Sequence, residues 1–312
     1  MTVSTEDLPT LLKENNHNSI LQYLRSHKQR LPELTIEHSL ALLDSKTLLP
    51  KKNMILFSTM PDSEHLAILE QLCIAACDMH DSELASRCIG VIKSYPFISG
   101  EESTRVKRLV GMMYESNNEL DKANELYDAL LEQNPSNTFA LKRKYCILRS
   151  QPGKDIEARD ALNKYLELNQ GDVAAWMEMY HNCMGLGDYK SAAFCLEENV
   201  LACPLDYKLH YMLAEVYVTI GSIANLKLAR KHFAQSLELN PSNIRALYGL
   251  VSATSSYIDL VSEKKSKEDE DLEVAKELLK YGVDKIMPLY KGNNAMSKTV
   301  RDVMEQYRSI TK

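Results

Sequence analysis

The chain has no apolar run approaching the roughly eighteen residues that a membrane-crossing helix needs, so no segment is expected to cross a bilayer. Glycine is scarce: the eleven glycines stand mostly singly at turns, and no glycine-rich loop of the phosphate-cradling kind occurs. Eight histidines are scattered, with neither a His-Glu-x-x-His helix nor a Ser/His/Asp order among them. Catalysis needs converging polar groups, and the sequence suggests none, so no enzymatic activity, cofactor or small-molecule ligand is expected. Positive charge is not in excess. With 37 Lys and Arg against 43 Asp and Glu, the net charge of −6 argues against nucleic acid as the main ligand. Seven cysteines, an odd number without regular spacing, make no disulfide framework and suit a reducing compartment. The opening MTVSTEDLPT has neither a basic start nor an apolar core, so no secretory leader is expected. Asn134 and Asn240 stand at sequon spacing, but Pro135 and Pro241 block both. The expectation is a soluble cytosolic chain.

What is present is a repeat. Lys107-x2-Val110-Gly111-x2-Tyr114 is followed by Ala123-x3-Tyr127 and Pro135. Trp176-x2-Met179-Tyr180-x2-Cys183 is followed by Ala192-x3-Leu196 and Pro204, and His210-x2-Leu213-Ala214-x2-Tyr217 by Ala229-x3-Phe233 and Pro241. In each copy the Ala precedes the Pro by twelve residues. This is tetratricopeptide spacing, a helix pair repeated about every 34 residues. The small residues (Gly111, Ala123, Ala214, Ala229) are expected where the two backbones approach most closely, and proline ends the second helix because it lacks the amide donor. One pair cannot bury its apolar face alone, so pairs stack. The fold predicted is all-α: a right-handed tetratricopeptide-repeat α-solenoid with N- and C-terminal helical extensions, built to hold other proteins.

Residues 1–60 read as a helical cap, with short helices broken by Pro9, Pro32 and Pro50 and apolar stripes Ile20/Leu21/Leu24 and Ile36/Leu40/Leu43. The array occupies 61–260. It opens on a degenerate repeat at 64–95 with Leu66, Leu69, Cys73 and Ala76, then Ala85, Cys88, Ile89 and Ile92. Its second full repeat is irregular, broken at Pro152-Gly153, with Gln170 where proline is usual; its fourth carries three extra residues within Ser222 to Asn225. Residues 261–271, covering SEKKSKEDED, read as a charged linker, and 272–312 as capping helices at Leu272–Met287 and Met296–Tyr307. In the third repeat Tyr180 is large where a small residue is usual and Cys183 is small where an aromatic is usual, which predicts a compensating volume swap. Trp176, the one tryptophan, is expected to wedge the core.

Two clusters invite chemistry. Cys73, Cys77 and His80 share a helical face and Cys88 could return from the next helix, but structural zinc usually takes cysteines two to four residues apart, so small buried cysteines are the expected reading and no metal is assigned. Arg105, Lys107 and Arg108, and Lys142, Arg143 and Lys144 stand at neighbouring helix starts. They read equally as a positive patch for an acidic segment or lipid headgroups, or as a solvated face whose long stems cover apolar surface.

Repeat domains that hold the acidic C-terminus of cytosolic heat-shock chaperones use a carboxylate clamp of Lys and Asn in one repeat and Asn in the next. Here Arg108 and Met112 are followed by Arg143 or Lys144, and Lys142 and Cys146, or Arg143 and Ile147, by Glu178. The clamp asparagines are absent, which ranks a free chaperone adaptor second.

Four segments match more closely than a general repeat: Arg105–Met112, Gly187–Glu198, Asn225–Gln235 and Asn243–Leu250. Through them, from about Leu72 to Leu250, the chain resembles the family of subunit 2 of the ER membrane protein complex, whose own pattern includes the three extra residues before Ala229. The resemblance implies a non-catalytic cytosolic scaffold, peripheral to the endoplasmic reticulum membrane and clasping cytosolic parts of membrane subunits. The assembly it implies inserts tail-anchored and other weakly hydrophobic transmembrane segments. Family partner residues do not transfer to named positions, so the partner-facing residues are read from first-helix faces: Arg105, Arg108, Met112, Arg143, Met177, Glu178, His181, Tyr211, Met212 and Glu215.

Overall fold

The computed structural model describes residues 8–51, 60–96, 98, 103–263, 271–290 and 294–310. The chain forms two compact units, Met1–Gln151 and Pro152–Lys312, divided at the Pro152-Gly153 break. Among the described residues all regular structure is helical apart from one isolated bridge, Leu43 to Pro50.

The first unit holds α1 (Leu8–Glu14), α2 (His17–Ser26), α3 (Pro32–Leu42), α4 (Asp62–Asp78), α5 (Ser82–Lys93), α6 (Thr104–Ser116), α7 (Leu120–Gln133) and α8 (Thr138–Ser150). The degenerate repeat forms as α4 and α5, and all eight apolar positions read for it are buried. Cys73, Cys77 and Cys88 lie in that core beside Leu69, Leu72 and Ile89, and burial pushes the Cys88 thiol up to about 12. The α2 stripe Ile20, Leu21 and Leu24 is fully buried. On α3 the apolar stripe faces the core, with Leu43 fully buried and Ile36 and Leu40 half-buried against it, and Thr35, His38 and Ser39 turn inward beside it.

The second unit holds α9 (Asp155–Leu168), α10 (Val173–Gly185), α11 (Tyr189–Ala202), α12 (Tyr207–Ile220), α13 (Ile223–Leu239), α14 (Ile244–Glu263), α15 (Asp271–Ile286), a 3-10 turn at Met287–Tyr290, and α16 (Asn294–Ile310). The linker reading at 261–271 falls mostly outside the described residues; Val261 to Glu263 end α14, and Asp271 opens α15 and accepts from Lys227 Nζ at 2.9 Å. The extra residues of the fourth repeat do not make a loop. α13 has 17 residues where α7, α9 and α11 have 14 each, so the insertion adds most of one helical turn. Gly221 closes α12 at φ +76°, a conformation only glycine adopts cheaply, and Ser222 then caps α13 through the Asn225 amide at 3.1 Å.

The repeat turns are built by caps rather than by proline. Asn137, Asp172 and Asn243 accept from the amides of Ala140, Ala175 and Ala246 at 3.0–3.2 Å and start α8, α10 and α14, and Asp206 accepts from the Lys208 amide at 2.9 Å to start α12. The Asp172 amide donates to the Asn169 carbonyl at 3.1 Å, as Asn243 does to Asn240 at 3.1 Å, although Gln170 replaces the proline of that turn. Each cap satisfies an amide that the helix itself leaves open, worth about 1 kcal/mol.

Two first-helix glycines face rings. A β-carbon at Gly111 would lie 2.6 Å from the Tyr127 ring, and one at Gly249 would lie 2.3 Å from the Phe233 ring. The missing side chain on the first helix is therefore the seat of the aromatic on its partner. At Gly111 the ring of Tyr127 fills the space that glycine leaves.

Candidate partner-binding faces

In the first unit, acids and arginines tie each first helix to the next. Arg25 of α2 donates to Glu64 of α4 at 2.5 Å, Arg105 of α6 pairs with Glu70 of α4, and Arg143 of α8 pairs with Glu115 of α6 through Nε at 2.8 Å and through Nη2. Glu115 also accepts from the Tyr127 hydroxyl at 2.5 Å. Burial opposes the Arg143 charge, but the bonds to Glu115 more than offset it and hold its pKa well above the ordinary value. Burial and the same carboxylate push the Tyr127 phenol up. A guanidinium fork on a carboxylate fixes both side chains in one geometry.

These pairings bear on the basic cluster. Arg105 is held by Glu70, Arg143 by Glu115 and Lys144 by Asp128, and the Arg108 guanidinium lies 5.2 Å from the centre of the Phe139 ring. Four of the six cations are thus laced or stacked side chains. Met112 is a correction: at 8% exposure it belongs to the core and cannot face a partner.

In the second unit, Glu215 of α12 takes both Nε and Nη2 of Arg245 of α14, at 2.5 and 2.9 Å. The Arg245 guanidinium also lies 5.3 Å from the centre of the Tyr211 ring. Met177, Glu178, Tyr211 and Met212 are half-buried, and exposed His181 leans on Tyr180 with ring centroids 4.9 Å apart. Arg245 was not among the expected residues. No fixed spacing announces it: an acid on one first helix precedes an arginine on the next by 35 residues for Glu70 and Arg105, 28 for Glu115 and Arg143, and 30 for Glu215 and Arg245.

The third repeat departs from expectation. Trp176 is half-buried rather than a core wedge; its Nε1 donates to the Gln170 carbonyl at 2.8 Å, and its ring meets Phe194 edge-on, itself 51% exposed. Burial raises the Tyr180 phenol and the Glu215 carboxylate raises it further, which places it toward α12, while Cys183 packs against Cys195. An open cleft of about 260 Å³ lies between Trp176, Phe194, Met179, Cys183, Cys195 and Arg159.

The cysteine–histidine constellation does not converge. Cys73, Cys77 and Cys88 are buried, whereas His80 turns its Nδ1 to the Ser116 carbonyl at 2.9 Å, and no group of three metal-type side chains gathers among the described residues.

Residues 99–238 match the EMC2 TPR-like repeat domain. ER membrane protein complex subunit 2 of Xenopus tropicalis is 35% identical over 244 residues, 78% of each chain. The chain belongs to the ER membrane protein complex subunit 2 family. The protein of the same name from Dictyostelium discoideum is 27% identical, covering 76% of this chain and 72% of its own. The TPR repeat protein oca3 of Schizosaccharomyces pombe is 27% identical, covering 62% of this chain and 67% of its own. The stretch that matches the subunit 2 domain begins just before α6 and ends within α13, so it contains all ten residues read as partner-facing and the lengthened α13. Together with the helical pairs, the match makes the fold an all-α tetratricopeptide-repeat solenoid.

Proposed function

We propose that this chain is a non-catalytic scaffold subunit of an ER membrane protein complex, seated on the cytosolic side and organising the cytosolic parts of membrane subunits. The assembly it serves inserts tail-anchored and other weakly hydrophobic transmembrane segments, and the route of insertion lies in the other subunits. The observation that carries this reading is the 35% identity over 78% of the chain to a relative named as subunit 2 of that complex. Two physical features support it. No helix among the described residues is long and apolar enough to cross a membrane, so attachment through partners fits the chain. First helices laced side by side by Glu70–Arg105, Glu115–Arg143 and Glu215–Arg245 are pre-ordered, which lowers the entropic cost of holding a second chain.

The test is affinity purification of the tagged full chain from detergent-solubilised endoplasmic reticulum membranes, with the recovered proteins read by mass spectrometry. A stoichiometric set of integral membrane proteins that survives high salt is expected, because an obligate interface is large and apolar. Recovery of the chain alone, or with soluble chaperones only, overturns the scaffold reading. A Met177→Ala/Tyr211→Ala variant should recover less of that set while keeping the wild-type unfolding midpoint; unchanged recovery would remove α10 and α12 from the docking face.

A further inference from the structure

α12 and α13 meet at a pair of histidines that the partner-binding face does not use. His210, on α12, is buried at 6% exposure, and His232, on α13, is half-buried. Their rings stack with centroids 5.4 Å apart and planes at 26°, and the two Nδ1 atoms lie 3.1 Å from each other. The other nitrogen of His210, Nε2, is 2.9 Å from the Pro204 carbonyl oxygen. A carbonyl only accepts, so Nε2 of His210 carries a proton and its Nδ1 is a lone pair when the ring is neutral. The Nδ1–H of His232 then donates to it. This geometry holds one proton between the two Nδ1 atoms. A second would set two donors face to face at 3.1 Å.

The surroundings leave the pair little freedom to relax in place. The Tyr217 ring of α12 stacks on His232, with centroids 5.9 Å apart and planes at 30°, and its hydroxyl donates to Glu197 of α11. Burial and His210 disfavour charge on His232, Glu197 favours it, and the balance puts His232 below the ordinary histidine value.

We propose that His210 and His232 form a proton-sensitive latch between α12 and α13, closed while one proton is shared between the Nδ1 atoms and forced open when both rings are charged. Tyr211, Met212 and Glu215 stand on the same helix as His210, so opening also loosens the seat of that face. This last consequence rests on the scaffold reading; the latch does not.

The sign follows from linkage. An unfolded histidine titrates near pH 6.5, and the folded value of His232 is lower. The pair's contribution is therefore fully present above about pH 6.5 and is lost as pH falls, because the unfolded chain takes up protons that the folded pair refuses. Each refused proton lowers the folded-to-unfolded ratio by up to about tenfold per pH unit.

The experiment is urea unfolding of the full chain at about pH 7.5 and about pH 5.5 for wild type and His232→Gln, whose amide can still donate to His210 Nδ1 but does not titrate. Wild type should lose up to about tenfold more of its folded-to-unfolded ratio across that interval than the variant does; equal losses overturn the latch. Should the variant fail to fold, histidine-selective NMR titration of wild type decides: a His232 midpoint below about 6.5 supports the shared proton, and two rings titrating independently at or above it overturn the proposal. His17→Gln removes the other close histidine pair, His17 and His38 in the first unit, with Nδ1 atoms 2.8 Å apart. It should leave the acid-induced loss of hydrogen-exchange protection in α12 and α13 unchanged. If it abolishes that loss, the acid response belongs to the other pair.

Discussion

The first and third full repeats carry the same pattern positions and solve them differently. In the first, Gly111 leaves room for Tyr127, whose ring is fully buried and whose hydroxyl reaches Glu115, itself gripped by Arg143. In the third, Tyr180 stands where Gly111 does and points toward α12, Cys183 stands where Tyr114 does, and a cleft of about 260 Å³ stays open beside Trp176. A repeat thus tolerates an open cleft beside one ring when the rest of the pair stays packed, as the buried Ala175, Met179, Cys183, Ala192, Cys195 and Leu196 show. The difference also predicts where the chain is sensitive. Substitution in the first repeat should be costly and in the third cheap.

The largest effect is expected for Tyr127→Ala, which removes a fully buried ring and leaves Glu115 and Arg143 without their third partner. A loss of about 3–5 kcal/mol in urea unfolding is expected, and a loss below about 1 kcal/mol would show that the first repeat is no better packed than the third. Gly111→Ala comes next: its β-carbon would meet the Tyr127 ring at 2.6 Å, so the ring must move, at a cost of about 1–3 kcal/mol. Wild-type stability in that variant would mean that the ring yields freely. Trp176→Ala should cost only about 1–2 kcal/mol, below the range for a buried tryptophan, since the ring is half-buried against exposed Phe194. Smallest of all is Cys183→Leu, which extends into the open cleft and should shift stability by less than about 1 kcal/mol in either direction. A loss comparable to that of Gly111→Ala would show that the cleft cannot take the added carbons.

Much of the fold was readable because its signals are local and periodic. The buried positions of α4 and α5 follow a stripe set by the helical repeat, and Ala123, Ala192 and Ala229 are all fully buried where the spacing puts them. The faces were harder to read. Met112 lies on the expected side of its helix and is nonetheless covered, because a face is exposed only if no neighbour packs on it. On α3, Thr35, His38 and Ser39 turn inward beside the apolar stripe, and no hydropathy rule selects them. Arg245 was missed since an ion pair across 30 residues is a property of two helices, not of one. The caps Asn137, Asp172 and Asn243 stood in plain view as side chains that prefer helix starts, and they explain why the turn at Gln170 survives without proline.

By itself the sequence determined the helical pairs, their order and the family they belong to, because helix periodicity, caps and small-residue spacing act within about forty residues of chain. Only the tertiary structure decided what fills the space beside each small residue, which charges are already spent on one another, and that the added residues of the fourth repeat lengthen α13 instead of forming a loop. The reason is that a ring, a guanidinium or an added turn takes whatever partner the packed neighbours present, and that partner sits on another helix.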